Sequence, residues 1–251
     1  GMSRFQLYYN NNVRYPSYGG IGYSSSSNAA YGSFKAPSDL GRGITGTSYQ
    51  SYGGGLIDIT CGSLSNFGKI SADGVENDRG YSATGGTVYV QVLNGGAVTG
   101  NGTVSAKAGN HASTSSSRRA GGGRIALVGY SSISASIMSA IDVDGWNGGG
   151  CGTLYLEPSG VLEGGSLVVQ CTTGYTNYGT TALLENSTGF GTLVIRHATA
   201  LMLGNLSVKS FDISDGGFLR SPVSHALHLT GDTGFLSSTG TIEVSKFTCS
   251  G

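Results

Sequence analysis

The chain has 251 residues, which suits one large all-β unit, and its 14 Lys and Arg balance 14 Asp and Glu. Charged residues are only 11%, against roughly 25% in ordinary soluble domains, so no net field exists to attract a nucleic-acid backbone or an anionic membrane. Its 45 glycines and 36 serines raise the question of disorder, but the 38% hydrophobic residues gather into short Val, Ile and Leu runs from Leu56 onward.

No run approaches the ~20 apolar residues of a membrane span, so no membrane insertion is expected. A neutral surface of Ser, Thr, Asn, Gly and Tyr suits an extracellular or cell-surface setting. The start, GMSRFQLYYNNN, has no apolar h-region, so an export signal, if there is one, is expected outside this sequence, and Gly1 before Met2 reads as a tag scar. Cys61, Cys151, Cys171 and Cys249 show no CxxC pair and no His at zinc-like spacing, so structural zinc is not expected. Three disulfide pairings or buried free thiols are all compatible with that spacing.

Residues 1–52 carry eight of the fourteen tyrosines among Asn, Gly and a run of four serines at 24–27. They lack helix or strand periodicity, and we expect a loop-rich N-terminal cap or wrap over the end of the body at 53–251. From Gly53 a glycine cluster precedes a short strand, and a second short strand closes on glycine. GGGLIDIT (53–60) leads to GKISADG (68–74), GGTVYVQV (85–92) to GTVSAKAG (102–109), and GGGRIALV (121–128) to SAIDVDG (139–145).

Ile70 to Val104 is 34 residues and Val104 to Ile141 is 37, within the window of about 20 to 50 that marks stacked repeats. These three positions should form one inward aliphatic ladder, with glycines at the corners taking backbone angles closed to other residues. A fourth opening, GCGTLYLE (150–157), leads to GGSLVVQC (164–171). FGTLVIRH (190–197), GNLSVKSFDISDGG (204–217), HALHLTG (225–231) and GTIEVSKF (240–247) continue in looser form. No segment sustains helical spacing, and SISASIMSAI (132–141) is read as strand. Recurrence in fixed order, with loop length varying at one place in the unit, favours an all-β, right-handed parallel β-helix (β-solenoid) over an antiparallel sandwich.

The stretches 53–74, 85–109 and 121–127 resemble the glycine-rich repeats of large bacterial surface or secreted proteins and of some plant glycine-rich proteins. GGCGTLYLEPSG (149–160) and YGSFKAPSDLGRG (31–43) are similar to the segments that follow and precede those repeats. The resemblance covers 31–165 and implies a right-handed parallel β-helix, pectate-lyase-like or adhesin-like in outline, with no established activity.

Asp142 and Asp144 stand two apart in IDVDG, on one strand face with Asn147 close behind, and could share a calcium ion; solvated carboxylates are the plainer reading. Asp73, Glu76 and Asp78 present the same choice. His225 and His228 have HxxH spacing, but i and i+3 on a strand face opposite ways. GRGITG (41–46) lacks the strand and helix of a dinucleotide site and reads as a loop. Trp146, Tyr130, Tyr175 and Tyr178 lie in turn-like surroundings where rings could stack on sugars or anchor interfaces; packing against the body is the plainer alternative.

These features point to a non-catalytic structural or binding module of a surface or secreted protein, contacting a polysaccharide or a surface protein. The rival is a polysaccharide-active lyase or glycoside hydrolase. It would draw on Asp58, Asp73, Asp142, Asp144 and Glu157, with Arg124 or Lys107.

Overall fold

A computed structural model describes residues 17–22, 30–43, 51–75, 82–110, 119–161, 164–172, 179–183, 187–221 and 225–249. The chain is nearly all β. It makes three passes of three short strands each: β1 Leu56–Cys61, β2 Leu64–Asn66 and β3 Lys69–Ser71; β4 Thr87–Val92, β5 Ala97–Gly100 and β6 Thr103–Ser105; β7 Arg124–Tyr130, β8 Ser132–Ile133 and, after helix α1 Ala135–Met138, β9 Ile141–Asp142. β10 Thr153–Pro158 and β11 Ser166–Gln170 follow. Longer strands then alternate with shorter ones: β12 Thr180–Leu183, β13 Ser187–Arg196, β14 Thr199–Met202, β15 Leu206–Ser214, β16 Phe218–Arg220, β17 Ala226–Leu236, β18 Thr241–Glu243 and β19 Lys246–Cys249.

Strands from successive passes pair with one another. One nine-stranded sheet runs β1-β4-β7-β10-β11-β13-β15-β17-β19, beside a four-stranded sheet β12-β14-β16-β18 and two three-stranded sheets, β2-β5-β8 and β3-β6-β9. Ile70 pairs with Val104 and Val104 with Ile141, in the register that the spacing predicts. Helix α1 departs from the strand expected over 132–141. The Ser134 side chain accepts from the Ile137 amide and starts one helical turn, which drives Ile137 into the core.

At the stacked corners Gly86, Gly123 and Gly152 serve close approach, while the left-handed backbone angles expected of corner glycines are taken by others, Gly95, Gly100, Gly129 and Gly148 among them. The amides of Gly86, Gly123 and Gly152 donate to the carbonyls of Ala72, Ala106 and Val143, each bond 2.7 Å long, where one sheet turns into the next. A Cβ on Gly123 would stand 2.1 Å from the Gly86 carbonyl oxygen, and one on Gly152 would stand 1.8 Å from that of Gly123. Stacked backbones leave no room there for any side chain.

Every pairing in the nine-stranded sheet is parallel except one: β10 and β11 are antiparallel, with Leu154 opposite Val168, Tyr155 opposite Leu167 and Leu156 opposite Ser166. The buried face changes at the same place. Before it, Val88 and Val90, Ile125 and Leu127, and Leu154 and Leu156 fill a core on the first face. After it, Leu167 and Val169, Leu193 and Ile195, and Phe211 and Ile213 fill a core on the second face, which Tyr155 and Ala126 share. Side chains alternate along a strand, so a single sheet can serve a core on each side.

Residues 17–22 and 30–43 lie along the second face of the earlier strands. Arg124 is fully buried there; its Nε and Nη2 donate to the Tyr31 carbonyl at 3.3 and 3.0 Å and its Nη1 to Thr153 Oγ1 at 3.0 Å. Its guanidinium also sits 5.4 Å from the centre of the Tyr18 ring. Phe34 continues this cover into the second core, packing on Tyr155 and Phe190 with ring centres 5.8 Å away in each case.

The glycine stack gives a direct test. Gly123→Ala should lower stability by about 1–3 kcal/mol, because backbone must move to admit the methyl. Gly68→Ala, where a Cβ meets nothing within 4 Å, should leave the urea midpoint unchanged.

Candidate functional site

The change of face leaves a step. The wall formed by β3, β6 and β9 ends at β9, while the first face of the sheet runs on, uncovered by that wall, through β11 and β13. A cleft of about 400 Å³ occupies the corner. Its floor is a row of apolar side chains across three strands, Leu154, Val168 and Val194. The next row is polar, with Gln170 beside Arg196, and Asp142, Asp144 and Thr172 also line the space.

Asp142 and Asp144 therefore both reach the cleft, but they turn to different partners. Asp142 Oδ1 accepts from the Asp144 amide at 3.0 Å, and its Oδ2 lies 3.3 Å from Lys107 Nζ. The Asp144 carboxylate accepts from the Thr172 amide at 2.9 Å and also from the Thr172 hydroxyl. Burial pushes the Asp144 carboxyl above the ordinary aspartate value and the neighbouring Asp142 adds to this, while the Thr172 donors and Lys107 pull the other way. Beside Asp144 stand Cys151 and Cys171, joined by a disulfide with their Cα atoms 5.5 Å apart.

The rings are distributed differently. Tyr130 is 5% exposed and belongs to the first core, where burial raises its phenol pKa, so its face is not offered to a ligand. Trp146 is half-buried, its backbone bridged to Ala120, and it is not among the cleft-lining residues. Tyr175 and Tyr178 lie outside the described residues, as do Glu76, Asp78 and His111. His228 sits beside Thr248, with Nδ1 and Oγ1 2.5 Å apart.

The remaining acids are dispersed or occupied. Asp73 accepts from the Ser105 hydroxyl, from the Lys107 amide at 3.0 Å and from Lys69 Nζ at 3.0 Å. Glu157 accepts from the Tyr155 hydroxyl at 2.6 Å. Asp58 is exposed on β1, and three strand spacings, about 14 Å, separate that strand from the one carrying Glu157. Arg124 serves the packing of the N-terminal segment.

Gln170, Thr172 and Arg196 were not singled out by the sequence reading. They belong to the loosely patterned part of the chain and meet Asp142 and Asp144 only because the sheet reverses between them. No family model matches the chain, and no curated protein or solved structure is detectably similar to it.

Asp73 and Asp144 should respond oppositely to acid. Burial alone would raise the Asp73 carboxyl, but the donors from Ser105, Ser71, Lys69 and Lys107 outweigh it and hold the pKa below the ordinary 3.8. Its stabilising contribution is present above that value and disappears as pH falls through the lower folded one. Asp73→Asn should cost about 1–3 kcal/mol at pH 7 in urea unfolding, with the gap to wild type closing under acid. For Asp144, whose folded pKa is raised, protonation favours the native state. The stability of Asp144→Asn relative to wild type should accordingly fall as pH drops from 7 towards 4.

Proposed function

We propose that the chain is a right-handed parallel β-helix in two halves. It serves as a non-catalytic structural and binding module of a surface or secreted protein, with the cleft as its contact site for a polysaccharide or protein partner. Strand direction and covered face both reverse between β10 and β11, and a sense of rotation reversed twice is unchanged, so the two halves share one hand. The right hand is the rule for parallel crossovers.

The observation that carries the non-catalytic reading is the fate of the carboxylates. Asp73, Asp142, Asp144, Glu157 and Asp212 each accept from groups of the chain itself. The cleft offers an apolar floor beside the Gln170 amide and Arg196, whose Nη2 is held by Asp212, a surface suited to hydroxyl-rich ligands.

One observation favours a hydrolytic reading instead: Asp144, whose carboxyl pKa is raised by burial, and Asp142 both line the cleft, and glycoside hydrolysis uses two carboxyl groups. Incubation with a broad polysaccharide panel separates the two. We expect no release of reducing ends or unsaturated products, and Gln170→Ala with Arg196→Ala should weaken retention on whichever immobilised glycan the wild type binds. Steady product release, lost in Asp144→Asn, would replace the binding reading with the hydrolytic one.

A further inference from the structure

The antiparallel register of β10 and β11, continued three residues beyond Leu154 and Val168, places Cys151 directly opposite Cys171. The two sulfurs therefore meet because the hairpin holds them, with Cα atoms 5.5 Å apart, and not only because they are bonded. The third member of the cluster comes from another element. An Asp144 carboxylate oxygen and the two Sγ atoms all lie within 4.8 Å of one another. The Thr172 amide and hydroxyl orient that carboxylate, as outer partners orient the ligands of a metal.

We propose that Cys151, Cys171 and Asp144 form a redox-gated site for a thiophilic divalent cation of the zinc type. The site is closed while the sulfurs are bonded to each other and opens when a dithiol reduces them. Reduction transfers two electrons and two protons from the dithiol, which leaves as its cyclic disulfide, and frees both thiols. Metal binding then releases the two thiol protons to solvent, giving two thiolates and one carboxylate as ligands. Asp144 and Cys171 line the cleft, so the ion has a path in and its fourth position faces water. Two sulfur donors select against calcium, which takes oxygen ligands only.

Cobalt(II) reports thiolate ligation through a charge-transfer band in the near ultraviolet. The test uses the full chain carrying Cys61→Ser and Cys249→Ser, reduced with dithiothreitol and freed of it without air. We expect one cobalt per chain with that band, displaced by zinc and not by excess calcium, and no band in the oxidised protein. Cys171→Ser should abolish the band, while Asp144→Asn should keep it and weaken binding at least tenfold. If reduction unfolds the chain, zinc should restore the native circular dichroism. Three results would each overturn the site: a reduced chain that gives no band and is not refolded by zinc, a band that survives Cys171→Ser, or calcium displacing cobalt.

Discussion

The antiparallel pairing of β10 with β11 is the interaction on which the rest of the structure depends. Three backbone pairs at this seam join strands that run one way to strands that run the other. They do so inside a continuous sheet, so no edge is exposed at the join. The Tyr155 hydroxyl fixes the seam further, donating to Glu157 and accepting from the Gly165 amide at 3.0 Å. The disulfide closes the opposite end of the same hairpin. A chain that turned here without changing the covered face would present Leu167, Leu193 and Phe211 to solvent.

Two consequences follow from the change of face. The second face of the earlier strands needs cover, and the segment 30–43 supplies it. Burying a guanidinium is costly unless its donors are satisfied, and Arg124 meets that condition through Tyr31 and Thr153. Thr87, on the neighbouring strand in the same row, donates to the Asp39 carbonyl at 2.7 Å and binds the Tyr18 hydroxyl at 2.6 Å. The first face of the later strands, in turn, lies beyond the wall that covers the earlier ones, and the cleft forms where cover ends. The cleft and the cover supplied by residues 30–43 are thus two products of one seam.

Much of the local architecture was legible in the sequence. Ile70, Val104 and Ile141 repeat at nearly constant spacing because each occupies the same place in successive passes, and their pairing has that register. The meaning of the glycines was harder to read, since close backbone approach and a left-handed angle select the same residue. Parallel pairing was legible in the recurrence of the units, but the one reversal, between β10 and β11, was not. Alternation along β11 tells which residues share a face, but it reads the same in either direction. The candidate site was legible by half: Asp142 and Asp144 stand in a recognisable word, whereas Gln170, Thr172 and Arg196 acquire their place only from the reversal.

The seam can be examined directly by nuclear Overhauser contacts between the backbone protons of β10 and β11 in isotopically labelled protein. Antiparallel pairing predicts cross-strand contacts of Leu154 with Val168, Tyr155 with Leu167 and Leu156 with Ser166, the residue numbers falling on one strand as they rise on the other. Contacts in which both numbers rise together, Leu154 with Ser166 and Leu156 with Val168, would contradict the reversal and, with it, the account of the two cores and the cleft.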